Sequence, residues 1–189
     1  MFDVQSLSDI HGFMTPNELM LLNRLASEVQ PTGTIVEIGS FQGLSTLALA
    51  KGAAPNNAAV WAIDPHHEYD VNTSTHYGMN NHARLLENIT RHNAGATVRV
   101  VALPSVDVAR IWKYEIDLLW IDGSHEYEDV IADFMAWSPY VVGKIAMHDT
   151  SGNWPGVSRA LSEILAGELC EVCERADSIT ILKQKGSNG

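Results

Sequence analysis

"GTIVEIGSFQGLSTLALAKGA", residues 33–53, is the stretch whose reading decides the fold. A short β-branched run, "GTIVEIG" (33–39), passes through a glycine-bearing turn into "LSTLALAKGA", a helix of small residues. Strand, glycine turn and helix in that order predict the opening unit of a parallel sheet. A glycine loop in this place usually brings backbone N–H groups up to a phosphate. Here the spacing is Gly39-x-x-x-Gly43, and Phe41 stands where a dinucleotide-binding loop needs its second glycine. No Lys follows, which excludes a P-loop. Glu37, just before the turn, would repel a pyrophosphate and attract an ammonium group.

The same alternation extends in both directions. Upstream, "TPNELMLLNRLASEV" predicts a helix with Thr15 as N-cap, Pro16 in the first turn and Glu18 closing a capping box. Leu19, Leu22 and Leu25 recur at helical spacing. Downstream, strands are expected at 58–64, 97–103, 115–122 and 143–149, with helices over 80–93, 105–112, 125–137 and 156–168. "CEVCERA" and "SITILKQ", separated by Asp177, predict a terminal hairpin that places an antiparallel strand in the sheet. The class is α/β, a Rossmann-like sheet covered by helices on both faces. In such sheets ligands bind outside the carboxyl ends of the strands, at the topological switch point.

Those strand ends carry an acidic set. The second strand ends in Asp64, placed to hold a ribose diol with its two carboxylate oxygens, and the fourth ends "IDGSH", with Asp122 and His125 three apart. The fifth ends in His148 and Asp149. Carboxylates at neighbouring tips, strands being ~4.8 Å apart, can share one cation. Three carboxylates around one crevice, Glu37, Asp64 and Asp122, suit a cofactor with an amino group, a ribose and a sulfonium but no phosphate, which is S-adenosylmethionine. His125, with an ordinary pKa of ~6.5, suits a general base at neutral pH.

Each residue also has a structural reading. The glycines can serve only the turn, and Asp64 before Pro65 can start one. Ser124 can cap the next helix, with Glu126, Glu128 and Asp129 complementing its dipole. His148 can be a satisfied core histidine and Asp149 a turn residue.

Composition narrows the partners. The 189 residues carry a net charge of −11 and only 12 Lys and Arg, which are scattered, so neither a nucleic acid nor an anionic membrane is expected. No apolar run approaches the ~18 residues of a membrane span, and "MFDVQSLSDI" has no basic n-region, so the expected location is cytoplasmic. The length fits one domain over 1–189, with a cap segment and helix in 1–30 and a frayed tail at 185–189. Cys170 and Cys173 form a lone C-x-x-C with no second pair, and an alternating strand would point them to opposite faces.

"VEIGSFQGLST", "WAIDP" and "IDGSHEYEDVIADFMAW…GKIAMHDT…PGV" together resemble the class I S-adenosylmethionine-dependent methyltransferases. The resemblance runs from "HGFMTPNEL" to about Ile164 and is nearest to a short bacterial group related to the metal-dependent macrolide sugar O-methyltransferases. It implies a seven-stranded sheet of order 3-2-1-4-5-7-6 with the last strand antiparallel. It implies that Glu37, Gly39, Ser40 and Gly43 cradle the methionine part, with Asp122 at the same site. Asp64 would bind the ribose, and Leu103 and Ser105 would flank the adenine. A divalent cation, Mg²⁺ if the site is hard and oxygen-rich, would lie between Asp122 and the His148–Asp149 pair. A histidine there shifts preference toward Mn²⁺, Fe²⁺ or Ni²⁺. By the same likeness His125 is the candidate base, and Asp122 shares the catalytic site.

The acceptor is then expected to be a small-molecule hydroxyl on a sugar, glycosylated metabolite or polyketide. It would be bound by the long polar stretch 66–82, which carries His66, His67, His76 and Tyr77, by Trp154, or by a neighbouring subunit in a homo-oligomer. "HGFM" (11–14) is expected to fold over the cofactor. Three rivals share the fold. Glu37 and the missing central glycine argue against a nicotinamide-dependent dehydrogenase. A metal-dependent hydrolase built on "DGSH" and "HD" would need no nucleotide, and a non-catalytic domain would bind cofactor without turnover.

Overall fold

The computed structural model describes residues 2–66, 68–70 and 75–185. Helix α1 (Pro16–Ser27) starts as its sequence predicts. Thr15 Oγ1 accepts from the Glu18 amide, and Glu18 Oε2 accepts from the Thr15 amide at 2.9 Å, completing the capping box. Then follow β1 (Thr34–Ile38), α2 (Leu44–Ala53), β2 (Ala59–Ile63), a small hairpin of β3 (Glu68–Asp70) and β4 (Thr75–Tyr77), and α3 (Met79–Arg91). Next come β5 (Val98–Val101), α4 (Ser105–Ala109), β6 (Ile116–Ile121), α5 (Tyr127–Trp137), β7 (Val141–Met147), α6 (Pro155–Ala166), β8 (Cys170–Ala176) and β9 (Ile179–Gln184).

The main sheet runs β5-β2-β1-β6-β7-β9-β8. Counting only its own strands, that is the expected 3-2-1-4-5-7-6. The five strands from β5 to β7 are parallel, while β9 pairs antiparallel with both β7 and β8. Alternate side chains along the strands feed two cores. Ile35, Val60, Leu118 and Trp120 meet α1, α2 and α3 on one face, around Leu22, Leu47 and Leu85. Val36, Leu119, Ile121 and Ile145 meet α4, α5 and α6 on the other, around Phe134, Trp137 and Leu161. Each such side chain removed from water contributes about 1.5–3 kcal/mol, and burial on both faces explains why the parallel strands read as continuous apolar runs.

The long polar stretch 66–82 holds the β3–β4 hairpin and the start of α3, the helix expected from residue 80. His67 and the tail at 186–189 lie outside the described residues, as do the side chains of His76 and Tyr77 on β4. Cys170 is buried and Cys173 exposed, both as free thiols on β8, whose alternation is broken by a bulge between Val172 and Glu174. Among the described residues no helix is long and apolar enough to cross a membrane.

Candidate functional site

The parallel ladder extends one residue beyond the strands, and this aligns the site. The amide of Gly39 donates to Ile63 O, Asp64 to Val101 O, Asp122 to Ile38 O and His148 to Ile121 O, at 2.9–3.1 Å. Asp64, Gly39, Asp122 and His148 therefore stand side by side at the carboxyl edge. Gly39 is obligatory: at φ +86°, a Cβ there would lie 2.0 Å from Asp122 O. Gly43 N-caps α2.

Above this edge lies a cleft of about 670 Å³, in the range of small-ligand sites. Gly39, Ser40, Asp64, Ser105, Asp122, His125, His148, Asp149 and Trp154 all line it. Gly12, Phe13 and Met14 close one side, where "HGFM" was expected to cover the cofactor, and the rings of His11, Phe13 and Phe41 cluster there at centroid distances of 5.2–5.8 Å. Six carboxylates line the cleft, from Asp64, Asp122, Glu126, Asp129, Asp133 and Asp149; no described Lys or Arg does.

Three expectations change at the cofactor end. Glu37 does not reach the cleft. It is fully buried beneath the loop, its two oxygens accepting from Ser45 Oγ and Thr46 Oγ1 at 2.6 Å each. Burial lifts its pKa to about 8 against those two hydrogen bonds, so near neutral pH it is a protonated anchor for the first turn of α2 and no ammonium receptor. Asp64 is less available than its position suggests. Its Oδ2 accepts the amides of Ser40 and Phe41 at 3.1 and 2.9 Å, and Oδ1 accepts that of His66 at 2.8 Å. With about two acceptor sites per oxygen, only Oδ1 can still meet a ribose hydroxyl. Leu103 is half-exposed, and its neighbours Pro104, Ser105 and Val106 line the cleft instead. Ser40 Oγ, by contrast, is buried, lines the cleft and has no hydrogen-bond partner. An orphaned buried hydroxyl in a cleft wall fits a polar ligand group.

At the other end the residues from β6 and β7 converge. His148 Nδ1 is 2.9 Å from Asp122 Oδ1 and 3.4 Å from Asp149 Oδ2, while its Nε2 lies 3.5 Å from Oε1 of the buried Glu18. Burial opposes a charge on this ring, but the carboxylates of Asp122, Asp149 and Glu18 outweigh it and hold the pKa up at about 12. Burial raises Asp122, partly offset by His148. Burial would also raise Asp149, yet its hydrogen bonds to His125 and His148 prevail and hold it below the usual carboxylate range.

His125 precedes α5. Its Nε2 is 2.9 Å from Asp149 Oδ2, and its ring stacks on Trp154, with centroids 3.8 Å apart and planes within 9°. Trp154, expected to stack on a substrate, thus spends one face on His125. Gly156 makes this possible, because a Cβ there would lie 2.3 Å from His125 O. Ser124 Oγ accepts from the Glu126 amide at 3.1 Å and donates to Asp129 Oδ2 at 2.8 Å, so it does tie the start of α5 as the helix-cap reading anticipated.

Two site residues escaped the sequence reading. Glu18 was read only as a cap. Asp133 lies buried on α5, and its carboxylate accepts the Ser105 hydroxyl. A signal for Asp133 existed: with Val130, Phe134 and Trp137 it completes an i, i+3, i+4, i+7 stripe, so it is a charge at a core position.

Asp122, His148 and Asp149 each offer a ligand atom, and these atoms lie within 4.8 Å of one another, a spacing one cation can bridge. One imidazole with two carboxylates is a donor set for Mn²⁺, Fe²⁺ or Ni²⁺ rather than Mg²⁺. Glu18 behind Nε2 is the outer-shell carboxylate such a histidine uses.

A family model described as a methyltransferase domain matches residues 36–150. Among solved structures, the O-methyltransferase NovP superposes with a TM-score of 0.71 at 16% identity, covering 88% of this chain and 78% of NovP. An O-methyltransferase from Bacillus cereus in complex with S-adenosylhomocysteine gives 0.66 at 21%, covering 95% of this chain and 86% of that one. Podospora anserina PaMTH1, also bound to S-adenosylhomocysteine, gives 0.64 at 19%, covering 87% and 76%. At these identities the superpositions establish the fold, and the family match spans most of the strands that carry the site. The chain belongs to the class I S-adenosylmethionine-dependent methyltransferase family.

Proposed function

We propose that this protein methylates a hydroxyl of a small uncharged molecule, a sugar, glycosylated metabolite or polyketide, with S-adenosylmethionine as donor and His125 as general base. The observation that carries this reading is the 2.9 Å contact of His125 Nε2 with Asp149 Oδ2 at the cleft, beside Asp122. With Asp149 accepting from Nε2–H, the carboxylate would orient the ring and stabilise its charge on taking a proton, the logic of an Asp–His pair. When bound, the cofactor supplies a methyl carbon already activated by its sulfonium. The chain's own part would be to hold the acceptor hydroxyl in line with that carbon and to take its proton on His125 as the oxygen is methylated. Positioned proton removal of this kind contributes typically ~10²–10⁴-fold, and holding the reactants in line contributes further.

The lining favours such an acceptor. Six carboxylates without a described Lys or Arg would repel a phosphorylated, carboxylated or coenzyme A-linked molecule, and equally a nucleic acid. Asp122, His148 and Asp149 would hold a divalent cation. Bound there, it would lower the pKa of the acceptor hydroxyl. Ser40 Oγ and Asp64 Oδ1 are the groups open to the methionine and ribose parts.

The test begins with calorimetric titration of S-adenosylmethionine and S-adenosylhomocysteine, with NAD⁺ as control. A screen of sugars and hydroxylated aglycones with labelled methyl donor follows. Micromolar binding of the sulfur ligands, together with label on oxygen that drops ~10²-fold or more in His125→Ala, is expected. Binding of NAD⁺ alone, or hydrolysis of an ester or phosphate without any cofactor, would replace this reading with one of its rivals.

A further inference from the structure

Behind the cleft wall two histidines meet with their ring nitrogens unpaired. His66 follows β2 and is 1% exposed, and His82 sits in the first turn of α3. Their rings lie edge to face, with centroids 4.8 Å apart and planes at 67°. Both nitrogens of His66 and Nδ1 of His82 are buried without a hydrogen-bond partner. Polar groups shut away from water are nearly always paired, so orphaned nitrogens from two rings in one contact call for a ligand. His66 is held in place by its own backbone. It stands at φ +51°, uncommon for a residue other than glycine, and its amide donates to Asp64 Oδ1 at 2.8 Å.

The chemistry of the pair selects the ligand. Burial, with His82 adding to it, pushes the His66 pKa below its ordinary value against the pull of Asp64. At neutral pH the ring is therefore uncharged and carries one N–H and one bare nitrogen. Nδ1 of His66 faces Asp64 Oδ1 at 3.5 Å, the place of the outer-shell carboxylate that orients a metal-bound histidine, which leaves Nε2 to ligate. On His82 the buried nitrogen is Nδ1. The spacing agrees: two imidazoles on one tetrahedral ion, with Zn–N of about 2.0–2.1 Å, have ring centroids roughly 5 Å apart. Imidazole nitrogens suit Zn²⁺, Ni²⁺ or Cu²⁺, whereas Mg²⁺ and Ca²⁺ take oxygen.

We propose that His66 Nε2 and His82 Nδ1 form a second metal site, for a divalent transition ion of the zinc class, which clips the start of α3 to the end of β2. Two protein ligands leave two tetrahedral positions to water, so the ion exchanges and is not a locked structural zinc. The site is separate from Asp122, His148 and Asp149, and it does not depend on the cofactor reading above.

The test is nitrogen NMR of the histidine rings while Zn²⁺ is titrated into the wild-type protein, His82→Ala and His82→Gln, with Mg²⁺ as control. In the wild type one nitrogen of His66 and one of His82 are expected to shift together over the same range of Zn²⁺, and Mg²⁺ should move neither. In both variants the His66 response should need ~10-fold more Zn²⁺ or beyond, while His148 responds as in the wild type. His82→Gln keeps a polar side chain on the helix and guards against a loss caused by misfolding. Should either variant fail to fold, the paired shifts in the wild type decide alone. Zn²⁺ that moves His148 but leaves His66 and His82 in place would overturn the site and mark the pair as hydrated by buried water. A His66 response equal in wild type and variants would overturn it as well.

Discussion

His148 Nδ1 stands 2.9 Å from Asp122 Oδ1, so the ring offers its hydrogen where a metal would need its lone pair. With its pKa held at about 12 by Asp122, Asp149 and Glu18, the imidazole is charged at every ordinary pH. A cation at this site must therefore displace a proton, which a carboxylate-only site does not require.

Titrating Mn²⁺ in buffers of different ionisation enthalpy should accordingly show release of about one proton per metal bound, with affinity rising as pH rises. Mg²⁺, a weak partner for imidazole, should bind more weakly than Mn²⁺. Metal uptake without proton release would mean that His148 stays out of the coordination shell.

The buried ionisable groups also set a pH profile for stability. Glu37 is raised to about 8 by burial and His148 to about 12, so both bind more protons folded than unfolded above about pH 4.5 and 6.5 respectively. Their contributions shrink as pH rises through those windows. Glu18, held at about 2 despite burial by the nearby His148 ring and by hydrogen bonds from Ser178 and Thr15, works in the opposite sense, and its contribution is lost as pH falls from 4.5. Thermal melts should peak near about pH 5 and fall on both sides. Glu37→Gln, which keeps an oxygen and adds no charge, should gain on the wild type steadily between pH 4.5 and 8, by a few kcal/mol in all. A parallel pair of curves would refute the neutral state of Glu37.

Gly39→Ala would drive a methyl group into Asp122 O, 2.0 Å away, at a backbone angle that side chains avoid. Strain and overpacking of ~1–3 kcal/mol each predict a loss of about 2–6 kcal/mol in urea unfolding, or no soluble protein. Gly95→Ala, where a Cβ meets nothing within 4 Å, is the matched control and should be nearly silent.

Glu18→Ala removes a helix cap and leaves the Ser178 amide without its carboxylate, at 3.0 Å in the wild type. About 1–3 kcal/mol of stability should go with it. Glu18→Gln can keep the cap but not the charge behind His148; it should recover most of the stability while lowering the His148 pKa, read by NMR of the ring.

How far the sequence carried depended on whether a residue's partner was local. The Thr15–Glu18 box lies within one turn and was legible in full, as were the strands, whose apolar runs announce two-sided burial. Strand ends placed Asp64, Asp122, His125 and Asp149 at one edge because topology alone brings them there. Side-chain direction was another matter. Glu37 faces α2, since Ser45 and Thr46 outcompete any exit to the cleft, and nothing in "VEIG" reports that competition. Asp64 looked like an open receptor because backbone amides from the glycine loop are invisible in composition. The stack of Trp154 on His125 joins residues 29 apart, and Gly156 permits it by having no side chain.

The tie between Glu18 and Ser178 has a bearing on the order of assembly. It links positions 160 apart, and contacts of such separation close late because the intervening chain must first be ordered. During synthesis α1 can form at once, yet the carboxylate behind His148 finds its last partner only after the β8–β9 turn has emerged and docked. Nascent chains halted before residue 178 should therefore hold a helix and most of a sheet, but a cleft whose charges have not yet settled.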